Sequence, residues 1–173
     1  MEVLENQDAW HADYANGWLA HYNETGETLW KVYTHPRNKE APAGKAIDLS
    51  QSRLVLISSA GGYLPKSQQP FDAENDLGDY TTRVIPSSTS LESIAYAHTH
   101  YDHTAVNADP QVLVPLRHLD AMVDDGIIGE LAPNMISFMG YQPDATRVID
   151  ETIPEILDAV NAMDAHAALL VPS

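Results

Sequence analysis

The sequence predicts an α/β fold in three layers, with a mostly parallel sheet of about four strands between flanking helices and an N-terminal helical arm. Two observations predict it: four short apolar runs follow residue 53, and helical patterns lie between several of them. Apolar runs with little alternation are typical of strands buried on both faces. Strands that alternate with helices favour a parallel sheet with right-handed crossovers. We expect residues 1–52 to form the arm and its linker, and residues 53–173 to form one α/β domain.

The arm is expected to be helical over residues 8–22. Trp10, Tyr14 and Trp18 recur there at every fourth position, which places the three rings on one helix face. Such an aromatic stripe is typical of a helix that docks on a core, and stacking against a ligand is the alternative. Asp8 is the expected N-cap of this helix.

The apolar runs predict strands, after an exposed linker at 34–52, at residues 53–58, 93–98, 134–140 and 166–172. Amphipathic patterns predict helices at residues 114–125 and 152–164. Gly126 stands where the first of these helices should stop. Thr152 and Glu155 have the spacing of a capping box at the start of the second.

With this topology the strands end at one rim of the sheet, which is where open α/β sheets bind their ligands. The least ordinary stretches of the sequence lie at the same strand ends: SSAGG at 58–62, HTHYDH at 98–103, GY at 140–141 and VPS at 171–173. We therefore expect one pocket at this rim, surrounded by the chain that follows Ile57, Ala97, Met139 and Leu170.

The composition excludes several classes of function. The chain has 25 acidic against 9 basic residues, a formal charge of −16, so it lacks the cations that bind nucleic acid or an anionic membrane surface. No apolar run is long enough to span a bilayer, and the N-terminus does not resemble a secretory signal, so a cytoplasmic location is expected. There is no cysteine, which excludes disulfides, cysteine–zinc sites and a thiol nucleophile within this chain.

The loop SSAGG is the first candidate binding segment. Glycines let a backbone approach a ligand, and N–H groups in such a loop can hold a carboxylate or phosphate. A tight exit from the strand is the equally weighted structural alternative. The candidate substrate-binding residues are Ser58, Ser59, Gly61, Gly62 and, at the end of a later strand, Gly140.

The segment HTHYDH at 98–103 has the densest chemistry. Its side chains can orient a substrate or transfer protons, and the candidate catalytic residues are His98, His100, Tyr101, Asp102 and, from a separate segment, Glu130. The string also matches the H-x-H-x-D-H motif of metallo-β-lactamase-fold hydrolases, although the further ligands and the glycine pair typical of those enzymes are missing. On that alternative, zinc or iron would be held by His98, His100, Asp102 and His103.

Read in order, several segments resemble the selenoprotein B family of glycine, sarcosine, betaine and D-proline reductases. The resemblance covers about residues 50–172 and rests on LVLISSAGGYL (54–64), PFD (70–72), RVIP (83–86) and the stretch from HTHYDH to SFMGY (98–141). It implies reductive cleavage of a C–N bond next to a carboxylate. In this family a selenocysteine, or a cysteine in relatives, attacks the α-carbon, and a pyruvoyl group on a partner subunit activates the amine. A selenolate suits this role because it is ionised at neutral pH.

One departure from the family pattern bears on activity. The family's reactive residue follows the last strand in a V-P-x-Sec-x-x-Cys type motif, whereas this chain reads LLVPS at 169–173 and contains neither residue. We expect the sequence to stop at a selenocysteine codon after Ser173. On that hypothesis the chain is the scaffold half of a site, and whether it is itself an enzyme stays open.

The expected partners are a small amine or carboxylate substrate and either a partner reductase subunit or further copies of the chain. Two other functions stay open from the sequence. One is the metal-dependent hydrolase described above. The other is a non-catalytic assembly module, because a sheet of four strands with an abruptly ended last strand leaves an incomplete layer.

Overall fold

The structure is a computed structural model, and it describes residues 3–40, 43–99 and 101–173. The strands are β1 (Arg53–Ser58), β2 (Gly62–Tyr63), β3 (Thr82–Pro86), β4 (Ala95–Tyr96), β5 (Glu130–Leu131), β6 (Asn134–Phe138) and β7 (Ala167–Val171). The α-helices are α1 (Gln7–Tyr14), α2 (Ala20–Thr25), α3 (Thr104–Ala108), α4 (Leu116–Asp124), α5 (Ala145–Arg147) and α6 (Ile153–Ala162). Single π-helical turns connect α1 to α2 (Ala15–Leu19) and α5 to α6 (Val148–Thr152).

The main sheet is built around β1. One edge of β1 pairs in parallel with β5 and then with β6, and its other edge pairs in parallel with β7. Strand β3 lies beyond β6 and is antiparallel to it. The predicted α/β fold with a mostly parallel sheet is therefore confirmed, and the two outer strands of the sheet are β3 and β7.

Helices cover both faces of β1. Leu54 and Leu56 pack on the side of α4, and Val55 and Ile57 pack on the side of α6. Because both faces are covered, every one of these four side chains is buried, which explains why the run shows no alternation. The helices predicted at 114–125 and 152–164 are confirmed as these two covering layers.

The N-terminal arm docks on the domain through stacked aromatic rings, as its sequence predicts. Trp10 stacks on Tyr14 at 5.1 Å between ring centroids, Tyr14 on Trp18 at 5.6 Å, and Trp18 on Tyr22 at 5.7 Å. Trp18 is fully buried. The rings pack against α5 and the turn after it through Ala145 and Ile149, and against the loop before β3 through Leu77. Tyr33, later in the N-terminal region, packs on the same rings.

Two helix starts differ from the prediction. Helix α1 begins at Gln7 after Asn6, so Asp8 lies in the first turn and is not the N-cap. Thr152 and Glu155 do not form a capping box, because both are used to hold the start of β3. The Thr152 hydroxyl donates to the Tyr80 carbonyl at 2.9 Å, and the Glu155 carboxylate accepts from the Thr82 N–H at 3.2 Å.

The run at 93–98 is not a strand of the main sheet, which corrects the prediction. Only β4 forms there, and it pairs antiparallel with β2 in a separate two-stranded sheet. The run is apolar because Ile94 and Tyr96 pack against the core on the α4 side. No helix in the described part of the chain is long and apolar enough to cross a bilayer.

Candidate functional site

A pocket of about 470 Å³ lies where β1, β6 and β7 end. Its walls come from each of the four tips expected to converge, so this expectation is confirmed even though 93–98 is not part of the sheet. The segment after β4 reaches the same rim from the two-stranded sheet. The lining residues are Ser59, His98, Phe138, Gly140, Tyr141, Pro172 and Ser173.

Two serines join the tips of β1 and β7 at this pocket. The Ser59 and Ser173 hydroxyl oxygens are 3.1 Å apart, and the Ser173 N–H donates to the Ser59 hydroxyl oxygen at 2.9 Å. The Ser173 hydroxyl also donates to the Ser59 carbonyl at 3.1 Å, and with that arrangement the Ser59 hydroxyl donates to the Ser173 hydroxyl oxygen. A ligand in the pocket would therefore compete with these bonds for the serine protons.

The backbone of the SSAGG loop is engaged within the fold. The Ser59 N–H donates to the Val171 carbonyl at 3.1 Å, and the Gly61 N–H donates to the Phe138 carbonyl at 2.9 Å. The Ala60 N–H donates to the Ser58 hydroxyl, which in turn donates to the Leu113 carbonyl at 2.8 Å. These three N–H groups are thus not aimed at a ligand, so binding of a carboxylate would depend on side chains.

The glycines at the rim allow close approach of the chain. Gly61 has φ of 65°, and a Cβ there would lie 2.7 Å from the Met139 sulfur and 3.0 Å from the His98 nitrogen of the main chain. At Gly140 a Cβ would lie 2.9 Å from Nε2 of His98 and 3.2 Å from the Ser173 hydroxyl. Gly140 therefore leaves the space that the His98 ring occupies.

Ser58 and Gly62 lie beneath the pocket and not in its wall. Ser58 is fully buried on β1. Gly62 pairs with Tyr96, and a Cβ on it would lie 3.4 Å from the hydroxyl oxygen of Ser137. Both positions support the loop, and neither is among the residues that line the pocket.

His98 is the imidazole of the pocket, and it is only 5% exposed. The ring of Tyr101 lies 5.2 Å from that of His98, and its hydroxyl donates to the Ala60 carbonyl at 3.3 Å. Burial raises the pKa of Tyr101 to about 12, so this phenol is a neutral donor at physiological pH. His98 and Tyr101 are thus brought together beside the SSAGG loop.

Asp102 and His103 have local structural contacts. The Asp102 carboxylate accepts from the N–H and the hydroxyl of Thr104, at 2.8 and 2.7 Å, at the start of α3. These bonds hold the pKa of Asp102 below its usual range. Nε2 of His103 donates to the His98 carbonyl at 2.6 Å.

Of the four alternative metal ligands, His98, Asp102 and His103 belong to the described residues, and His100 lies outside them. Within residues 3–40, 43–99 and 101–173, no group of three or more His, Cys, Asp or Glu side chains is arranged to hold a metal ion. Metal binding by HTHYDH stays a hypothesis from the sequence.

Glu130 is not brought to the pocket. It pairs with Arg53 at the first residue of β1, with 2.9 Å between the guanidinium and the carboxylate, whereas the pocket lies beyond the last residue of β1. The contact joins the starts of two parallel strands. Glu130 therefore lies at the opposite rim, where it pairs with Arg53.

Tyr141 forms part of the pocket wall and is held there by contacts that the sequence does not predict. The ring of Trp30, from the arm, meets that of Tyr141 at 5.7 Å, and the Tyr33 hydroxyl donates to the Pro143 carbonyl at 2.9 Å. The Tyr141 hydroxyl donates to the Asp76 carbonyl at 2.8 Å. No local pattern links these positions, since they are far apart in the chain.

Comparison with known proteins identifies the class. Residues 24–171 match the family described as glycine/sarcosine/betaine reductase selenoprotein B, and the chain belongs to this family. The resemblance read from its sequence is confirmed.

Three relatives illustrate the relationship. The D-proline reductase subunit gamma of Acetoanaerobium sticklandii is 32% identical over 123 residues, which is 71% of this chain and 49% of the relative. In Peptoclostridium acidaminophilum, the glycine reductase complex component B subunit gamma is 31% identical over 61% of this chain and 25% of its own length. The sarcosine reductase complex component B subunit beta of the same organism is 27% identical over 66% and 27%. The matches thus span about half of the first relative and about a quarter of the other two, and no solved structure matches the chain.

Proposed function

We propose that the chain is the substrate-binding part of a reductase subunit that acts on glycine, sarcosine, betaine or D-proline by reductive cleavage of the C–N bond. The observation that carries the proposal is the pocket at the ends of β1, β6 and β7, whose lining includes two serines, His98 and two aromatic residues. The matched relatives are subunits of reductases for D-proline, glycine and sarcosine.

The pocket walls suit a small zwitterion. Ser59 and Ser173 offer hydroxyl groups for the carboxylate end. None of the described lining residues is Lys or Arg, so the carboxylate would be held by hydrogen bonds and not by a fixed cation. Phe138 and Tyr141 present rings to the ammonium end, and an aromatic face attracts a cation. The formal charge of −16 also favours approach of that end.

His98 is the one imidazole among the described lining residues, and an imidazole can transfer a proton near neutral pH. As the external nucleophile bonds to the α-carbon, the C–N bond breaks and the amine leaves with the bonding electrons. Glycine, sarcosine or D-proline that reacts in its neutral-amine form then needs a proton, which a positioned imidazole can supply, whereas betaine leaves as trimethylamine without one. Tyr101 packs against His98 and orients it from the side of the SSAGG loop. In this proposal His98 is the general acid and Tyr101 is a positioning residue.

The nucleophile and the carbonyl cofactor would come from outside these residues. The chain contains no cysteine and no selenocysteine, so the selenolate or thiolate that the family resemblance implies would lie outside the given sequence. The pyruvoyl group would belong to a partner subunit. With the nucleophile and the pyruvoyl group outside these residues, the property to measure on the chain itself is substrate binding and not turnover.

Calorimetric titration with glycine, sarcosine, betaine and D-proline tests the proposal. We expect at least one of them to bind, and Ser59→Ala to weaken its binding about tenfold, because a hydrogen bond to a charged group contributes about 1.5 kcal/mol or more. Ser88→Ala is the matched control, since Ser88 is exposed and away from the pocket.

Folding of each variant is checked by its melting temperature. The proposal is wrong if the folded chain binds none of the four compounds. It is also wrong if Ser59→Ala leaves the affinity of a bound compound unchanged.

A further inference from the structure

The N-terminal arm reaches the pocket at the wall formed by Tyr141. Trp30 belongs to a short 3-10 turn of the arm (Trp30–Val32), and its ring meets that of Tyr141 edge to face, at an interplanar angle of 77°. The Trp30 ring also packs against Trp18 at 5.3 Å and against Tyr33 at 5.2 Å between centroids. Trp30 therefore joins the buried aromatic stack of the arm to a residue that lines the pocket.

The arm also holds the chain around that contact. The Tyr33 hydroxyl donates to the Pro143 carbonyl at 2.9 Å, two residues after Tyr141. Leu77, in the loop before β3, packs on the stacked rings of the arm. The neighbouring Asp76 carbonyl accepts the bond from the Tyr141 hydroxyl at 2.8 Å. The backbone that follows Tyr141 and the acceptor that orients its hydroxyl are thus both attached to the arm.

The loop before β3 packs directly on the chain that follows β6. Gly78 has φ of 84°, and a Cβ there would lie 3.0 Å from Cδ of Pro143 and 3.0 Å from the Tyr141 carbonyl oxygen. The Gln142 side chain donates to the Asp79 carbonyl at 3.0 Å. The arm, this loop and the Tyr141 wall therefore form one packed unit, so displacement of the arm removes contacts from the wall.

We propose that Trp30 is a positioning residue of the pocket, and that its contact with Tyr141 couples docking of the arm to ligand binding. The inference rests on the proposed function, since it concerns the same pocket. A wall held in place before the ligand arrives avoids the cost of ordering its side chains on binding. Because coupling between two equilibria is reciprocal, a bound ligand should also stabilise the docked arm.

The exposure of Trp30 makes this contact separable from the folding of the arm. Trp10 and Trp18 are 6% and 0% exposed, whereas Trp30 is 45% exposed. Loss of a fully buried aromatic side chain leaves a cavity, and loss of a half-exposed one costs less. Replacement of Trp30 therefore removes the contact with Tyr141 while the buried stack stays in place.

Calorimetric titration of the full chain with glycine, sarcosine, betaine and D-proline tests the proposal. We expect Trp30→Ala to weaken the binding of a bound compound about threefold to tenfold, which is the range that an edge-to-face aromatic pair contributes. Trp30→Phe keeps a ring beside Tyr141 and should restore most of the affinity. Val32→Ala is the matched control, since Val32 lies in the same turn and is 43% exposed.

Hydrogen exchange gives the reciprocal measurement on the same proteins. Amides of α1 and α2 should exchange more slowly when the unmodified chain is saturated with whichever of the four compounds binds it. This protection should be smaller in Trp30→Ala at equal saturation. The melting temperature of each variant shows that it is folded.

The inference and the proposed function fail in different ways. If the unmodified chain binds none of the four compounds, both are overturned. If Ser59→Ala weakens binding of a compound and Trp30→Ala does not, the proposed function stands and the coupling is overturned. Equal weakening by Trp30→Ala and Val32→Ala, or by Trp30→Ala and Trp30→Phe, would also overturn the coupling. So would exchange of the arm that saturation leaves unchanged.

Discussion

Gly140 determines whether His98 can occupy the pocket wall. A Cβ at this position would lie 2.9 Å from the imidazole Nε2, closer than side chains tolerate. We predict that Gly140→Ala displaces His98 and costs about 1–3 kcal/mol of stability, as overpacking usually does. The displacement is measured from the His98 ring resonances in NMR spectra and the stability from urea unfolding.

Gly44→Ala is the control for that experiment. A Cβ at Gly44 meets no atom within 4 Å, so its stability and the His98 resonances should not change. Unchanged His98 resonances in Gly140→Ala would show that the close approach does not constrain the ring.

At the residue scale, the sequence predicted where the candidate residues lie better than it predicted which groups they bond to. Gly61, Ser59, His98 and Gly140 were identified because each lies at or just after the end of an apolar run, and the structure brings them to one rim. The same reasoning predicted backbone donors for an anion, but three N–H groups of the loop bond to Val171, Ser58 and Phe138. Two of these bonds, to Val171 and Phe138, join the loop to distant strands and cannot be read from local sequence. The pairing of Glu130 with Arg53 could not be read from local sequence either, since Arg53 is 77 residues away.

At the element scale, the loop before β3 at residues 71–80, which is rich in Asp and Glu and is called the acidic loop below, supports the pocket wall. Asp79 closes the loop: its carboxylate accepts from the Asp72 N–H at 2.8 Å and from the Thr81 N–H and hydroxyl at 2.9 and 2.5 Å. The Asp76 carbonyl, in this loop, accepts a hydrogen bond from the Tyr141 hydroxyl. Partial burial alone would raise the pKa of Asp79, but the bonds from Thr81 and Asp72 and the charge of Arg83 outweigh it and hold the pKa below its usual value.

The depressed pKa of Asp79 predicts a pH dependence of stability. Because the unfolded carboxyl, with a pKa of about 3.9, binds a proton more readily than the folded one, the stabilisation is present above about pH 4 and lost as pH falls through the folded pKa. We predict that Asp79→Asn costs about 1–2 kcal/mol at neutral pH and reduces the loss of stability on acidification. Urea unfolding at several pH values measures both effects.

The exposed Asp13 on α1 provides the control as Asp13→Asn. That variant should unfold like the unmodified chain at every pH. An Asp79→Asn variant with unchanged stability at neutral pH would show that the carboxylate does not hold the loop.

The elements missed by the sequence have a common physical cause. Strand β3 lies at an edge and has only Thr82 and Ile85 buried among its five residues, so it shows no continuous apolar run. The segment 93–98 shows such a run because it packs on the core as a connection. Patterns of hydropathy report burial, and burial alone does not distinguish a strand from an extended connection.

At the scale of the whole molecule, the pocket at one rim of the three-layer domain is supported by the aromatic arm and by the acidic loop. The arm contacts the chain beyond β6 through Trp30 and Tyr33, and the acidic loop contacts it through Asp76. The fold class was predictable because β1, α4 and α6 have strong patterns. The docking of the arm beside the pocket was not, because no periodicity relates residue 30 to residue 141.

The central claim is that this rim binds a small zwitterion with a carboxylate. The most direct measurement is an NMR titration of the isotope-labelled chain with glycine, sarcosine, betaine and D-proline in turn. We predict saturable shifts centred on the amides of Ser59, His98, Gly140 and Ser173. Shifts centred elsewhere, or a spectrum unchanged by all four compounds, would contradict the account.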